Sequence, residues 1–203
     1  MKCMENIDYK VIVHSITYNH SAYITDTMDG FSKQKTNFPF ICAIIDDAST
    51  DGEQSVIHDY IFKHFKNIEE FEYNYGGKQC ADILYAQHSE NTNCFFIAIL
   101  LLENHYSQKK SYLKRAYLKE LIGEADYIAL CEGDDYWVDE NKLQNQIDFL
   151  DVHPDYSMSY TGFLTVDENG ISIQRHEYIK MMNRSQTGDI LSELLISNFI
   201  LTC

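Results

Sequence analysis

The sequence predicts an α/β protein with a mostly parallel sheet flanked by helices, and three observations predict it. Short apolar runs alternate with stretches of helical periodicity along most of the chain, which is the pattern of a layered α/β fold. Two of the apolar runs lead into adjacent aspartates, Asp46-Asp47 and Asp134-Asp135, as expected where strands end in turns. Near the C-terminus the Asn169-Gly170 step indicates a small antiparallel hairpin.

Apolar runs bounded by turn residues predict strands at 11–16, 40–45, 94–102 and 127–131. Apolar side chains at three- and four-residue spacing predict helices that begin near residues 21, 50, 112 and 139, with Ser21 and Asp139 as caps of the first and the last. The stretch 67–93 contains Gly76-Gly77, and its segment 80–88 suggests a further helix. Runs at 156–166 and 171–178 form the predicted hairpin. Without repeats or linkers, residues 1–203 are expected to form one domain.

Composition excludes several classes of function. The formal net charge of −15 argues against nucleic acid as a partner, because a phosphate backbone requires basic surfaces. The six cysteines and eight histidines show no zinc-binding spacing. Three of the cysteines lie in apolar runs, as free thiols of a reducing compartment do, so we expect a cytoplasmic protein.

Neither end of the chain carries an evident targeting segment. The first apolar run, 11–16, is too short for a signal peptide, and 95–102 is too short to span a membrane. Residues 198–203 resemble the opening of another strand. We therefore expect the chain to be truncated, with further residues of the same domain beyond Cys203.

The two aspartate pairs indicate where a ligand binds. In an open parallel sheet, ligands occupy the crevice beyond the carboxyl ends of the strands, and both pairs follow such ends. Crowded carboxylates are costly without a cation. A hard divalent metal ion that carries a phosphorylated ligand is the expected solution, because Mg²⁺ takes one or two carboxylates together with substrate phosphates.

Individual roles follow from position. Gly133 permits a sharp turn, and Asp134 and Asp135 point to opposite sides of an extended backbone, so that one can bind a cation while the other accepts a hydrogen bond from a sugar. In the first pair we assign Asp47 to the nucleoside and Asp46 to support. Asp51 is interpreted as a cap or turn residue, and Trp137 as either a wall of the site or part of the core.

Three stretches in order carry a resemblance to a known family: Ile16-Thr17-Tyr18-Asn19, Asp46-Asp47-Ala48-Ser49-Thr50-Asp51-Gly52, and Glu124 to Ile128 running into Gly133-Asp134-Asp135. Together they resemble the family 2 glycosyltransferases, which have the Rossmann-like GT-A fold. The likeness spans nearly the whole chain. Two departures are the absence of a proline before the Thr-Tyr-Asn loop and the long stretch after residue 67.

The resemblance implies a nucleotide-diphosphate-sugar donor, most simply a UDP-sugar, with Mn²⁺ or Mg²⁺ held by a DxD-like motif. Asp135 would be the metal ligand and Asp134 would contact the ribose or sugar. Asp47 would bind the nucleobase or ribose with Asp46 in support, and the loop of Ile16, Thr17 and Tyr18 would pack on the base. The family usually inverts the anomeric centre with a carboxylate base, which we expect beyond Cys203. Its acceptors are hydroxyls of glycans, lipids or proteins, consistent with polysaccharide or glycolipid synthesis and peripheral attachment to the cytoplasmic membrane face.

Three other functions compete with this interpretation. A sugar-phosphate nucleotidyltransferase would carry a glycine-rich basic loop near the N-terminus, and residues 16–21 contain neither glycine nor lysine. A phosphoacceptor signalling domain would need a lone aspartate after a central strand and a lysine after a later one. A non-catalytic nucleotide-binding fragment is the third alternative.

Overall fold

The structure, a computed structural model, describes residues 7–167 and 170–173. It divides into two compact units, Met1–Gln144 and Asn145–Cys203, which are described separately. The described residues form six strands and four helices, in the order β1 (Val11–Thr17), α1 (Ile24–Ser32), β2 (Phe40–Asp46), α2 (Glu53–His64), β3 (Phe65–Tyr75), β4 (Lys78–His88), β5 (Cys94–Leu101), α3 (Tyr112–Leu121), β6 (Tyr127–Leu130) and α4 (Lys142–Val152).

The six strands form one sheet in the order β3-β4-β5-β2-β1-β6. Strands β5, β2, β1 and β6 run parallel, while β4 is antiparallel to both β5 and β3. The predicted α/β class with a mostly parallel sheet is therefore confirmed. Because β1 pairs with β2 on one side and β6 on the other, the carboxyl ends of these three strands lie at one edge of the sheet.

The core lies around the two central strands. Every residue of β2 and β5 is buried, as expected where helices cover both faces of a parallel sheet. One face of each surrounding helix contributes apolar side chains: Ile24, Met28 and Phe31 from α1, Ile57 and Ile61 from α2, and Tyr117, Leu118 and Leu121 from α3. This rigid layer supports the loops that follow β1, β2 and β6.

The helix predicted at 80–88 is wrong, because β3 and β4 form a long antiparallel hairpin in its place. Gly76 and Gly77 make the turn with φ of 63° and 83°, which glycine adopts without strain. Ala81, Ile83 and Tyr85 point to one face and enter the core beside β5, and Leu84 and Ala86 are buried as well. Two-residue alternation, rather than helical spacing, was the correct signal in this stretch.

Helix starts differ slightly from the predictions. Helix α1 begins at Ile24 and has no side-chain cap, so the predicted capping by Ser21 is wrong. Backbone bonds from Tyr23 and Ile24 to the carbonyl of His20 form a turn before the helix. Helix α2 begins at Glu53, after Gly52 with φ of 90°.

The second unit contains most of α4 and an antiparallel bridge between Val166 and Ser172. This bridge is the part of the predicted hairpin that the structure describes, since residues 174–178 lie outside the described residues. The predicted strand at 198–203 also lies outside them. Across the described residues, no helix combines the length and the apolar character that crossing a membrane requires.

Candidate functional site

Two acidic turns, one with Asp46 and Asp47 after β2 and one with Asp134 and Asp135 after β6, flank the end of β1. The N–H of Asp47 donates to the carbonyl of Thr17 at 3.0 Å, and the N–H of Gly133 donates to the carbonyl of Ile16 at 3.0 Å. Asp47 follows β2 on one side of β1, and Gly133 follows β6 on the other. Both aspartate pairs therefore lie at the same edge of the sheet, separated by the width of one strand. A shared ligand at this edge is geometrically allowed.

Asp46 is buried at the end of β2, and its two carboxylate oxygens differ. Oδ1 accepts hydrogen bonds from the N–H of Ser49 at 3.0 Å and from Nε2 of Gln54 at 2.6 Å. Gln54 also donates to the carbonyl of Leu101 at 3.1 Å, which fixes its position. Oδ2 of Asp46 has no hydrogen-bond partner among the described residues. This oxygen is therefore a buried acceptor without a donor.

Asp47 is an anchor for the loop that follows β5. Its Oδ1 accepts from the N–H of His105 at 2.8 Å, and its Oδ2 accepts from the N–H of Tyr106 at 3.0 Å. The ammonium of Lys114 on α3 lies 2.9 Å from Oδ2, and the two side chains are only 4% and 3% exposed. Burial of both charges is tolerated because each is paired and hydrogen-bonded.

The first pair was predicted to use Asp47 for the nucleoside and Asp46 for support. Both oxygens of Asp47 accept hydrogen bonds from protein donors, whereas Oδ2 of Asp46 has no donor among the described residues. Both side chains line the predicted edge, and their roles toward a ligand stay predictions. The interpretation of Asp51 as a turn residue agrees with its hydrogen bonds from the N–H groups of Ser21 and Glu53, at 2.9 Å and 3.1 Å.

The second acidic turn is held tightly against β1 and α1. A Cβ atom on Gly133 would lie 2.2 Å from Oγ1 of Thr17, so only glycine allows this approach. The buried hydroxyl of Thr27 donates toward the carbonyls of Gly133 at 3.0 Å and Asp135 at 2.7 Å. These contacts fix the backbone of the turn. The carboxylate of Asp134 is half exposed, and that of Asp135 is partly buried.

Asp135 lies in a strongly acidic environment. Its pKa is raised to about 6, first by partial burial and then by the neighbouring charges of Asp134 and Glu132, while His20 acts in the opposite direction. The ring Nε2 of His20 lies 3.8 Å from Oδ2 of Asp134. A divalent cation beside Asp135 would relieve this crowding, which is the observation that makes the residues fit a metal ion.

The protein side chains alone do not complete a metal site. Within the described ranges, no group of three or more His, Cys, Asp or Glu side chains is arranged to hold a metal ion. Mg²⁺ and Mn²⁺ sites of phosphoryl ligands need only one or two carboxylates, because phosphate oxygens and water supply the rest. The turn at Asp134 and Asp135 therefore fits a cation that arrives with a diphosphate.

The loop after β1 presents one exposed ring and one buried hydroxyl. Tyr18 is 43% exposed, Thr17 is buried and Ile16 is partly buried. Asn19 adopts φ of 59° and accepts a hydrogen bond at its Oδ1 from the N–H of Thr50 at 2.8 Å. The loop after β1 is thereby joined to the loop after β2.

Sequence reasoning missed a buried carboxylate at this junction. Glu53 accepts from the hydroxyl of Thr17, from the N–H of His20 at 2.9 Å and from the hydroxyl of Ser49 at 2.8 Å. A glutamate at the start of a helix is common, so its type gave no signal. Only its burial, which the sequence does not display, distinguishes it.

Trp137 belongs to the core rather than to the wall of the site. Its ring is 6% exposed and makes an edge contact with Phe31 at 4.9 Å between centroids. Gly30 of α1 packs against the backbone of Trp137, where a Cβ atom would lie 2.8 Å from the backbone nitrogen. Of the two interpretations, the core one describes the structure.

No protein-family model matches the chain. Three mycobacterial relatives, the uncharacterized proteins Rv1520 and MT1570 of Mycobacterium tuberculosis and Mb1547 of Mycobacterium bovis, are 31% identical over 158 residues. The alignment covers 77% of this chain and 36% of each relative, so the chain spans about a third of the length of the curated relatives it matches.

Solved structures of Staphylococcus aureus TarS are similar to part of the chain. The TarS structure superposes with a TM-score of 0.45 at 23% identity, covering 71% of this chain and 20% of TarS. TarS residues 1–349 in complex with UDP give the same score and identity, with 33% of that chain covered. The complex with UDP-GlcNAc gives 0.44 at 22% identity, covering 71% of this chain and 32% of that one.

Proposed function

We propose that this chain binds a nucleotide-diphosphate sugar as the donor substrate of a metal-dependent glycosyltransferase. The observation that carries the proposal is the placement of both acidic turns at the carboxyl ends of β2 and β6, on either side of β1. Ligands of open parallel sheets bind at such edges. One turn offers a buried acceptor with a free oxygen, and the other offers crowded carboxylates that favour a cation.

Each part of the edge has a proposed task. Oδ2 of Asp46 accepts a hydrogen bond from the nucleoside, and the exposed ring of Tyr18 packs on its base. Asp135 binds the metal ion, and Asp134 accepts a hydrogen bond from the ribose or the sugar. Asp135 would hold this ion, whose positive charge would serve to offset the charge of the departing diphosphate. Fixed placement of the two turns positions the donor for attack by an acceptor hydroxyl.

The proposal extends to the acceptor, the general base and the stereochemistry of the transfer. The acceptor is a hydroxyl of a glycan, lipid or protein, and transfer proceeds with inversion. A carboxylate base would remove the acceptor proton, a contribution of about 10²–10⁴-fold in typical enzymes. None of the described residues is assigned this role.

Metal-dependent binding tests the donor part of the proposal. We expect UDP to bind in calorimetric titration with Mn²⁺ and to bind at least about tenfold more weakly in EDTA, a loss of about 1.4 kcal/mol. Asp135→Asn should reproduce the EDTA result, because the amide is a poor ligand for a hard cation. Asp59→Asn, an exposed carboxylate on α2, is the matched control and should bind like the unaltered chain.

An affinity for UDP that is the same with Mn²⁺, with EDTA and in Asp135→Asn would contradict the metal role. A thermal-shift panel of UDP-, GDP- and dTDP-sugars with Mn²⁺ then identifies the nucleobase of the donor. Turnover of the stabilising donor in the presence of acceptor hydroxyls separates a transferase from a non-catalytic binding fragment. Release of pyrophosphate from a nucleoside triphosphate and a sugar phosphate would instead identify a nucleotidyltransferase.

A further inference from the structure

Glu53 is a fully buried carboxylate, and hydrogen bonds from the protein replace the water that it loses on burial. It begins α2, and within the described part of the chain it forms no ion pair with a lysine, arginine or histidine. A buried charge is tolerated only when donors replace its lost water. The identity of those donors therefore shows which parts of the molecule depend on this side chain.

The three donors come from outside α2. Oε1 accepts from the hydroxyl of Thr17 at the end of β1, and Oε2 accepts from the N–H of His20 in the next loop at 2.9 Å. Oε2 also accepts from the hydroxyl of Ser49, which follows the first acidic pair, at 2.8 Å. One carboxylate thus joins the loop after β1 to the loop after β2.

Two of these donors also contact the second acidic turn. Thr17 lies so close to Gly133 that no Cβ atom fits between them. The ring of His20 has Nδ1 at 3.3 Å from Oγ1 of Thr17 and Nε2 at 3.8 Å from Oδ2 of Asp134. The contacts of Glu53 therefore continue, through one intermediate residue, to both Gly133 and Asp134.

A purely local role in starting α2 explains these contacts poorly. An acidic residue in the first turn stabilises a helix through the unpaired N–H groups of that helix. Here the N–H of Glu53 itself donates to Oδ1 of Asp51, which already serves as the turn acceptor. The side chain of Glu53 accepts hydrogen bonds from Thr17, His20 and Ser49, none of which belongs to α2.

We infer that Glu53 is a positioning residue that sets the spacing between the two acidic turns. What those turns bind rests on the proposed function, whereas the coupling itself is a property of the ligand-free chain. Loss of the carboxylate releases Thr17 and His20, and through them it loosens Gly133 and Asp134. Donor binding weakens because the nucleoside and the metal ion are then no longer held at a fixed separation.

The first test measures amide hydrogen exchange without ligand. In Glu53→Ala we expect faster exchange in two separate segments, 17–21 and 131–136. Glu53→Gln should restore most of the protection, because its amide oxygen accepts from His20 and Ser49 while its NH₂ group donates to Thr17. The control Asp59→Ala, an exposed position on the same helix, should leave both segments unchanged.

The second test measures the affinity of the Mn²⁺ complex of UDP at a temperature where all variants are folded. Glu53→Ala should weaken binding about 10–100-fold, the range for residues that orient metal ligands. Glu53→Gln should recover most of that loss. A residue that only stabilised the fold would lower the melting temperature and leave this affinity unchanged.

Faster exchange at 17–21 with an unchanged segment 131–136 would overturn the inference, and so would an affinity equal to that of the unaltered chain. If Glu53→Ala does not fold, Thr17→Val gives the same decision, since it removes the hydroxyl between Glu53 and Gly133 and keeps the side-chain shape. Failure of the unaltered chain to bind Mn²⁺ and UDP would refute the proposed function alone. The exchange experiment would still decide the role of Glu53.

Discussion

Replacement of Asp135 by asparagine should stabilise the chain at neutral pH, contrary to the usual effect of a substitution. The pKa of Asp135 is raised from its ordinary 3.8 to about 6, first by burial and then by Asp134 and Glu132. The folded chain therefore binds more protons than the unfolded chain between these two values. Its free energy of unfolding falls as the pH rises through this window, and the loss is complete above about pH 6 to 7.

The size of the effect follows from the shift. A difference of about two pKa units corresponds to about 3 kcal/mol at 1.36 kcal/mol per unit. The carboxylate is only half buried, so solvent screening reduces the measurable effect to about 1 kcal/mol. Asparagine has nearly the same shape and carries no charge. Asp135→Asn should thus gain about 1 kcal/mol at pH 7.5 and nothing at pH 3.5, where the aspartate is already protonated.

Urea unfolding followed by the fluorescence of Trp137, the sole tryptophan, measures this difference at both pH values. Asp59→Asn is the control, and its exposed carboxylate should change stability by less than about 0.5 kcal/mol. A gain of equal size at both pH values, or a loss at pH 7.5, would refute the reasoning. Mn²⁺ together with UDP should stabilise the unaltered chain more than Asp135→Asn, because the variant lacks the metal ligand and binds UDP more weakly.

Three further substitutions test other contacts of the site. Gly133→Ala should destabilise the chain by about 1–3 kcal/mol, because its Cβ would meet Thr17 at 2.2 Å; a change below 0.5 kcal/mol in urea unfolding would contradict the close contact. Lys114→Met should lower the free energy of unfolding by about 3–5 kcal/mol, because it leaves Asp47 charged and unpaired. The double variant Lys114→Met with Asp47→Asn should be less destabilised than Lys114→Met alone. Equal losses in the two variants would argue against the ion pair. Asp46→Asn should keep the hydrogen bonds to Ser49 and Gln54, so its free energy of unfolding should change by less than about 1 kcal/mol. The same variant should bind UDP more weakly in calorimetry. Unchanged binding would argue against the assignment of Oδ2 to the nucleoside.

The sequence was sufficient to predict the parallel sheet because its strands are continuous apolar runs. Strands β2 and β5 are buried on both faces, and such strands are visible as uninterrupted hydrophobic stretches. The hairpin of β3 and β4 was missed because β3 carries mixed, partly exposed residues and resembles no single periodic pattern. Its glycine turn was the available signal, and the spacing of apolar residues around it was misjudged.

The carboxylates could be assigned to the correct edge, but their partners could not be predicted. Asp47 meets His105 and Lys114, which lie 58 and 67 positions further along the chain, and Glu53 meets Thr17 across 36 positions. Such contacts depend on how loops pack over the sheet, and no local pattern records them.

The two acidic turns look alike in sequence and differ in their surroundings. Asp47 is matched by a lysine and two backbone N–H groups, so its charge is already compensated within the protein. Among the described residues, the charged neighbours that act on Asp135 are the carboxylates of Asp134 and Glu132, with His20 opposing them. A folded protein that keeps an uncompensated acidic turn loses stability, and a bound cation would recover that loss. The asymmetry between the turns is therefore the strongest physical argument that Asp135, rather than Asp47, faces a metal-bound ligand.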